Sequence, residues 1–302
     1  MVTFEETNYT LMTSDLSDTC DLIAVMIYSE ILYGATYRFV FMQACLPVED
    51  LVGNTGDALC IAVLDRDEFT ARSITEAALD SGGYVKDVLA PETVQISIGD
   101  IVYNASRISD VVKEDSKLDW ARASFMKMGQ AIALRIDEDI RDALVLGAGT
   151  VITPTTLGTL AYDDVVDAVA SLKVNGYWSD DGSDFLLFCN AEQEADLVKD
   201  TRFTDTARYS SANIPLVGET GKFSSCRCLV TDITMAWSTV AYALVVASPT
   251  NRAGPAAMFA WKRHIRQEAW RDSQEGRDVF LLSCRYGVGV VFPDAIALIS
   301  DC

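Results

Sequence analysis

The hydrophobic positions change their spacing several times along the chain, and each change predicts an element. Leu16, Cys20, Ile23, Ile27 and Ile31 recur every three or four positions, which predicts a helix over residues 14–33. Ser14 or Ser17 can cap its start and Gly34 stops it, so this is an amphipathic arm seeking a surface. Residues 37–42 read as a short apolar strand or a continuation before Pro47. Two strand-like runs follow, DALCIAVLD just after Gly56 and TVQISIGDIVYNA from Thr93. In the second, the apolar set Val94, Ile96, Ile98 slips phase to Ile101 and Tyr103, which predicts a bulge at Gly99 or Asp100. The connection between the runs, about 28 residues, far exceeds the usual hairpin loop of roughly two to five. The pair is therefore expected to form an outstretched hairpin that packs on a neighbour.

The longest periodic stretch covers residues 117–146, where Phe125, Met128, Ile132, Ile136, Ile140 and Leu144 form one stripe. Asp115 or Ser116 caps it and Gly147 and Gly149 end it. At 1.5 Å per residue, its roughly 30 residues span about 45 Å, the length of a spine. Beyond Pro154 the pattern alternates: helix 163–174, strand 184–189, helix 191–199, then strands 227–233 and 241–247, together a compact α/β domain. The run DVFLLSCRYGVGVVFPDAIALIS supplies two more strands hinged at Pro293, with Tyr286, Val288, Val290 and Phe292 alternating.

Composition narrows the function classes. The 302 residues are 50% hydrophobic, enough for an ordered core, and carry a formal charge of −20. Such a charge repels phosphate and offers no footprint for wrapping nucleic acid. Acidity with Arg in excess of Lys fits either a high-salt habitat or simple solubility. The first residues have no basic stretch followed by an apolar one, and the most apolar segment, 22–44, is broken by Glu30 and Arg38, so neither a signal peptide nor a membrane span is expected. Without export, the eight cysteines are buried thiols; Cys60, Cys226, Cys228 and Cys302, in or near segments expected to be exposed, could link subunits in an oxidised particle.

No catalytic constellation emerges. His264, the only histidine, lies in WKRHIRQ without a motif around it. Cys226 and Cys228 form a CxC without a second ligand pair. GETGK at 218–222 fails the phosphate-loop pattern twice, with Leu216 where glycine is needed and Phe223 where Ser or Thr is needed. The string DEDIRD at 137–142, interleaved with Arg135 and Arg141, reads as a solvated or inter-subunit salt-bridged helix face. Lys262, Arg263, His264, Arg266 and Arg271, with Trp261 and Trp270 between them, could touch nucleic acid, but pairing with an acidic face of the next subunit suits the overall charge better. No cofactor or metal is expected.

The order of these parts, with VYNASRISDVVKEDSKLDW leading into MGQAIALRIDEDIRDALVLGAG and AGPAAMFAWKRHIRQEAWRD followed by YGVGVVFPDAIALI, resembles the major capsid proteins of tailed viruses with the Hong Kong 97-type fold. The resemblance implies an α+β fold: an N-terminal arm (1–34), an extended β-hairpin loop (56–95), a peripheral domain with the long spine helix (35–55, 96–150 and 276–302) and an axial α/β domain (151–275). It also implies pentamers and hexamers built by head-to-tail contacts, an icosahedral shell around weakly held double-stranded DNA, residence in the virion after assembly in the host cytoplasm, and separate scaffolding, portal or decoration proteins as partners. The arm starts almost at Met1, where many members carry a cleaved scaffolding region, so a separate scaffold or none is expected. Lys86 is a loop lysine, but no asparagine partner for a cross-link can be named. Candidate assembly contacts are Ile23, Ile27 and Ile31 on the arm, Phe69 and Lys86 in the loop, and Arg263, Arg266 and Arg271 in the basic cluster. The alternatives are an encapsulin-type nanocompartment, whose cargo-docking pattern is not seen, and a hydrolase using acidic residues, for which no convergent groups are found.

Overall fold

A computed structural model describes residues 39–63, 92–111, 120–156, 158–177, 185–199, 222–223, 226–231, 233, 235–237, 240–251 and 254–300. The predicted arm at 14–33, with Ile23, Ile27 and Ile31, lies outside the described residues. So do 64–91, with Phe69 and Lys86, and 112–119, with the helix start expected at residue 117 and its caps Asp115 or Ser116.

The described helices are α1 (Trp120–Leu146), α2 (Tyr162–Val174) and α3 (Ala191–Lys199). The strands, in chain order, are β1 (Cys45–Val48), β2 (Ala58–Val63), β3 (Glu92–Ser97), β4 (Val102–Ser109), β5 (Thr150–Ile152), β6 (Phe185–Asn190), β7 (Lys222–Phe223), β8 (Cys226–Thr231), β9 (Ala236–Trp237), β10 (Val240–Ala247), β11 (Ala257–Asp272), β12 (Arg277–Val290) and β13 (Ile296–Ser300). They form three sheets: β1-β11-β12-β4, a seven-stranded sheet ordered β5-β13-β10-β6-β8-β7 with β9 attached to β10, and the pair β2-β3.

α1 is the 27-residue spine. Its stripe of Phe125, Met128, Ile132, Ile136, Ile140 and Leu144 is buried, no member more than 4% exposed. Each such side chain contributes roughly 1.5–3 kcal/mol on leaving water. Phe125 meets Phe280 of β12 edge to face at 4.8 Å, fixing the helix against the four-stranded sheet. The glycines that end α1 provide space. A Cβ on Gly147 would fall 2.5 Å from Val290 Cγ2 and one on Gly149 2.7 Å from the Pro293 carbonyl, whose oxygen accepts the Gly149 N–H at 2.9 Å.

The seven-stranded sheet holds the densest burial. β6, FLLFCN, is buried along five of its six residues, as expected of a strand covered on both faces. α2 starts over Asp164, whose carboxylate accepts the Ala161 N–H at 3.0 Å, the Thr155 N–H at 2.9 Å and the Thr155 hydroxyl at 2.7 Å. α3 opens on a reciprocal box: the Gln193 N–H donates to Asn190 Oδ1 at 2.8 Å and the Asn190 N–H to Gln193 Oε1 at 3.0 Å. Gln193 also donates to the Tyr242 carbonyl at 2.9 Å, tying α3 to β10.

Three sequence expectations change. The run from Thr93 is not one bulged strand: β3 pairs with β2 while β4 pairs with β12, and residues 98–101 carry the chain from one sheet to the other. The reason is competition for backbone partners at the junction, where Ile98 N–H donates to Asp57 O and Gly99 N–H to Tyr286 O, both at 2.9 Å. The strand expected at 227–233 ends at Thr231, whose hydroxyl accepts the Ile233 N–H at 3.1 Å and turns the chain. The sheets also do not divide at the expected boundaries. β11, grouped by sequence with 151–275, pairs along its length with β12, whereas β13, grouped with 276–302, lies between β5 and β10.

Candidate assembly site

The basic segment WKRHIRQEAWRD is most of β11, a 16-residue strand whose partner register shifts between Trp261 and Arg263 and again between Arg263 and Arg266. These irregularities turn neighbouring charged side chains to different surroundings. Lys262 reaches back to the turn before β2, donating to the Asn54 carbonyl and, at 2.8 Å, to the Gly56 carbonyl. Arg263 donates to Ser283 Oγ at 3.2 Å. Arg266 Nε pairs with Glu268 at 2.9 Å on the surface. Arg271 grips Asp110 at 2.7 Å and Asp278 at 3.4 Å, and the Asp110 hydrogen bond raises the guanidinium pKa further. The predicted contact residues Arg263, Arg266 and Arg271 thus share one strand, each with a partner in its own chain. His264 is a surface side chain, 4.0 Å from Glu49.

On the sheet face that projects away from α1, register aligns Tyr103, Ala105 and Arg107 of β4 with Ser283, Leu281 and Val279 of β12, and these with Arg266, Glu268 and Trp270 of β11. The result is a mixed face, with Tyr103 and Trp270 at opposite corners and Arg107, Arg266 and Glu268 among the apolar residues. Ile101 is 53%, Tyr103 68% and Trp270 48% exposed, more than scattered surface residues need and of the kind that marks a contact surface.

The root of the β2–β3 hairpin lies on the same sheet. A Cβ on Gly289 would sit 2.6 Å from Ile96 Cγ1, and one on Gly287 would run into the Ser97 carbonyl, so these two glycines of β12 form a slot for β3. Ile96, Ile98, Leu51 and Ala260 make a small core of their own there, with Leu59, Ile61 and Met258 packed against it. Arg285 bridges the two strand exits, donating to Gly99 O at 3.0 Å and pairing with Asp57 at 3.3 Å.

The acidic string on α1 departs from its reading as a solvated or inter-subunit face. Asp137 is fully buried and accepts the Val40 N–H at 2.6 Å and the Met42 N–H at 3.3 Å, pinning the segment that enters β1 to the spine. Asp139 accepts the Tyr286 hydroxyl at 2.7 Å and pairs with Arg135 at 2.9 Å. Burial and then that hydrogen bond push the Tyr286 phenol pKa upward. Sequence reasoning missed Asp137, although a signal existed: it stands four residues after Ala133, three before Ile140 and seven before Leu144, on the apolar stripe itself.

The cysteines divide sharply. Cys60 on β2 is exposed; Cys228 is half-buried, its sulfur 3.4 Å from that of Cys189. Cys226, expected in or near an exposed segment, is buried instead, because β8 enters the sheet at that residue opposite Phe185. Burial pushes the thiols of Cys45, Cys226 and Cys284 up to about 12. The charge of Asp137 adds to the rise at Cys45, and Arg263 opposes it at Cys284. Among the described residues no group of three or more His, Cys, Asp or Glu side chains could hold a metal ion, and no helix is long and apolar enough to cross a membrane.

A family model described as "Phage capsid protein" matches residues 93–299. No curated protein sequence matches. Solved structures do. A structure from Mycobacterium phage Che8 superposes with a TM-score of 0.69 at 18% identity, covering 87% of this chain and 91% of the other. The capsid of cyanophage P-SCSP1u gives 0.68 at 13% identity, with 86% and 87% covered. A virus-like particle from Pyrococcus furiosus gives 0.55 at 13% identity, with 90% and 96% covered.

Proposed function

Because this chain belongs to the phage capsid protein family, we propose that it is the major capsid protein of a tailed virus, closing into an icosahedral shell of pentamers and hexamers around double-stranded DNA. Its role is structural: it associates with copies of itself to build the capsid of the virion. We assign it no catalytic activity, and place its assembly in the host cytoplasm. The four-stranded sheet with α1 forms the peripheral body and the seven-stranded sheet with α2 and α3 the axial body. Residues 1–34 act as the arm and 56–95 as the loop, with Ile23, Ile27, Ile31, Phe69 and Lys86 as contacts to neighbouring subunits. Arg263, from its hydrogen bond to Ser283, and Arg266 and Arg271, from within their ion pairs, present β11 to a neighbour.

The observation that carries this reading is the β2–β3 hairpin. Among the described residues its strands hydrogen-bond as strands only to each other, and only its root packs on the body. A two-stranded hairpin is marginally stable alone, so its outer reach calls for a second copy to lie against. A stable interface of that kind covers on the order of 1,600 Å². The net charge of −20 fits contents that are enclosed and not gripped.

Purified protein imaged by electron microscopy is expected to show hollow particles hundreds of ångströms across. A stable monomer at high concentration, with or without a co-expressed scaffold, would overturn the reading. Protein cargo in place of DNA in native particles would redirect it to a nanocompartment. Deleting residues 66–92 is expected to leave a folded subunit that no longer assembles; normal shells from that deletion would exclude the hairpin as an assembly element.

A further inference from the structure

We infer that Lys262 and Arg285, acting over the slot made by Gly287 and Gly289, are positioning residues that set the angle at which the hairpin leaves the body, and through that angle the curvature of the assembled shell. The inference rests on reading the hairpin as an assembly arm.

A lone pair of strands has no interior to hold its direction, so its direction is decided where it is rooted. The apolar half of the root is the glycine slot with Ile96 and Ile98, joined by Leu59 and Ile61 of β2 over Leu51, Met258 and Ala260; with the Gly99 N–H bond to the Tyr286 carbonyl it fixes how close the pair lies to β12. The turn that launches β2 is closed by the Val52 N–H to the Glu49 carbonyl at 2.9 Å and the Asn54 N–H to the Leu51 carbonyl at 3.3 Å, and it bends at glycines. Gly53 and Gly56 adopt φ of +77° and +120° with open space around them, so they are there to bend the backbone.

The charged half adds directional contacts to this packing. Lys262 gathers the carbonyls of Asn54 and Gly56, holding that turn down on β11. Arg285 ties both strand exits with one planar group: Gly99 O on the returning side and Asp57 on the leaving side. Neither side chain belongs to the apolar core, and Asp57 is 71% exposed, so both contacts can be removed without opening a cavity. The lever is long. Each six-residue strand spans about 20 Å, so a rotation of roughly 10° at the root moves the far end by about 3 Å, close to the width of a packed contact.

The test compares Lys262→Met with Arg285→Gln as a double variant, Lys262→Arg as the conservative single variant, and the wild-type chain. In assembly, the double variant is expected to yield at least tenfold fewer shells of wild-type diameter, replaced by particles of mixed size or open sheets. Its subunit melting temperature should stay within a few degrees of wild type, and Lys262→Arg should keep the wild-type diameter. Wild-type shells in wild-type yield from the double variant would overturn the inference. A second measurement needs no assembly: spin labels on Cys60 and on Val174→Cys, in a background with Cys20→Ser, Cys228→Ser and Cys302→Ser, report the hairpin angle in the isolated subunit. A narrow distance distribution in the otherwise wild-type chain that broadens in the double variant supports the latch, and an unchanged distribution excludes it. Absence of any wild-type shell would count against the assembly reading, while the subunit distances would still decide the latch.

Discussion

The β2–β3 hairpin and the seven-stranded sheet solve the same problem in opposite ways. β6 is buried on five of six positions and shares its backbone groups with β10 on one side and β8 on the other, while α2 packs over the same sheet. β2 is nowhere better than half-buried, and of the β3 side chains only Ile96 is buried. The first region is complete within one chain; the second is complete only at its root. In a tile, stability and connectivity can therefore be changed separately, because different residues supply them.

The largest expected effect on stability lies in the complete region. Phe188 is fully buried and stacks on Phe41 at 4.7 Å, so Phe188→Ala is expected to cost about 3–5 kcal/mol, read as a fall in the urea midpoint of the dissociated subunit. A cost below about 1 kcal/mol would mean that this sheet is not the stable part. Next comes Asp137→Asn, which removes the charge from two backbone hydrogen bonds and should cost about 1.5–3 kcal/mol in the same assay.

Alkaline pH probes the body through its thiols. Above the ordinary thiol value of 9.0 the unfolded chain releases protons that buried Cys45, Cys226 and Cys284 keep until about 12. Stability therefore falls as pH rises through that window, by up to about 1.4 kcal/mol per pH unit for each thiol. A urea midpoint unchanged between pH 8 and pH 10 would contradict this burial.

The hairpin responds differently. With Cys20, Cys228 and Cys302 replaced by Ser, Cys60 should react with a thiol reagent within minutes in the native subunit and far more slowly in the shell, while Cys45, Cys226 and Cys284 wait for unfolding. Equal Cys60 rates in subunit and shell would show that assembly leaves the hairpin uncovered. Ala62→Asp, on an exposed position of β2, should change subunit stability by no more than about 0.5 kcal/mol yet lower the yield of particles.

How much of this was legible in the sequence follows from the same contrast. The spine and β6 announce themselves because burial selects apolar residues at a fixed period, and every stripe residue expected on α1 is buried. β11 was not legible as a strand. Two register shifts within six residues destroy the alternation, and the basic side chains that serve the hairpin root and the flanking carboxylates look like a patch for an outside partner. The break between β3 and β4 was visible as a phase slip, but a slip of one residue is equally what a bulge gives. Only the Asp57 and Tyr286 carbonyls, one 41 and the other 187 positions away from their donors, decide between them. Asp137 was hidden by its neighbours: a carboxylate in an acidic string looks solvated until the backbone it serves, 95 to 97 residues earlier, is known.

The place of β13 also governs the order in which the protein can be made. This strand is the last of the described elements to be synthesised, yet it sits inside the seven-stranded sheet, antiparallel to β10 and parallel to β5. A nascent chain that stops before Ile296 leaves the facing edges of β5 and β10 open to any passing strand. Translation thus acts as a timer: the sheet closes after the hairpin and spine have been made, and chains cut short are marked by the edges they expose.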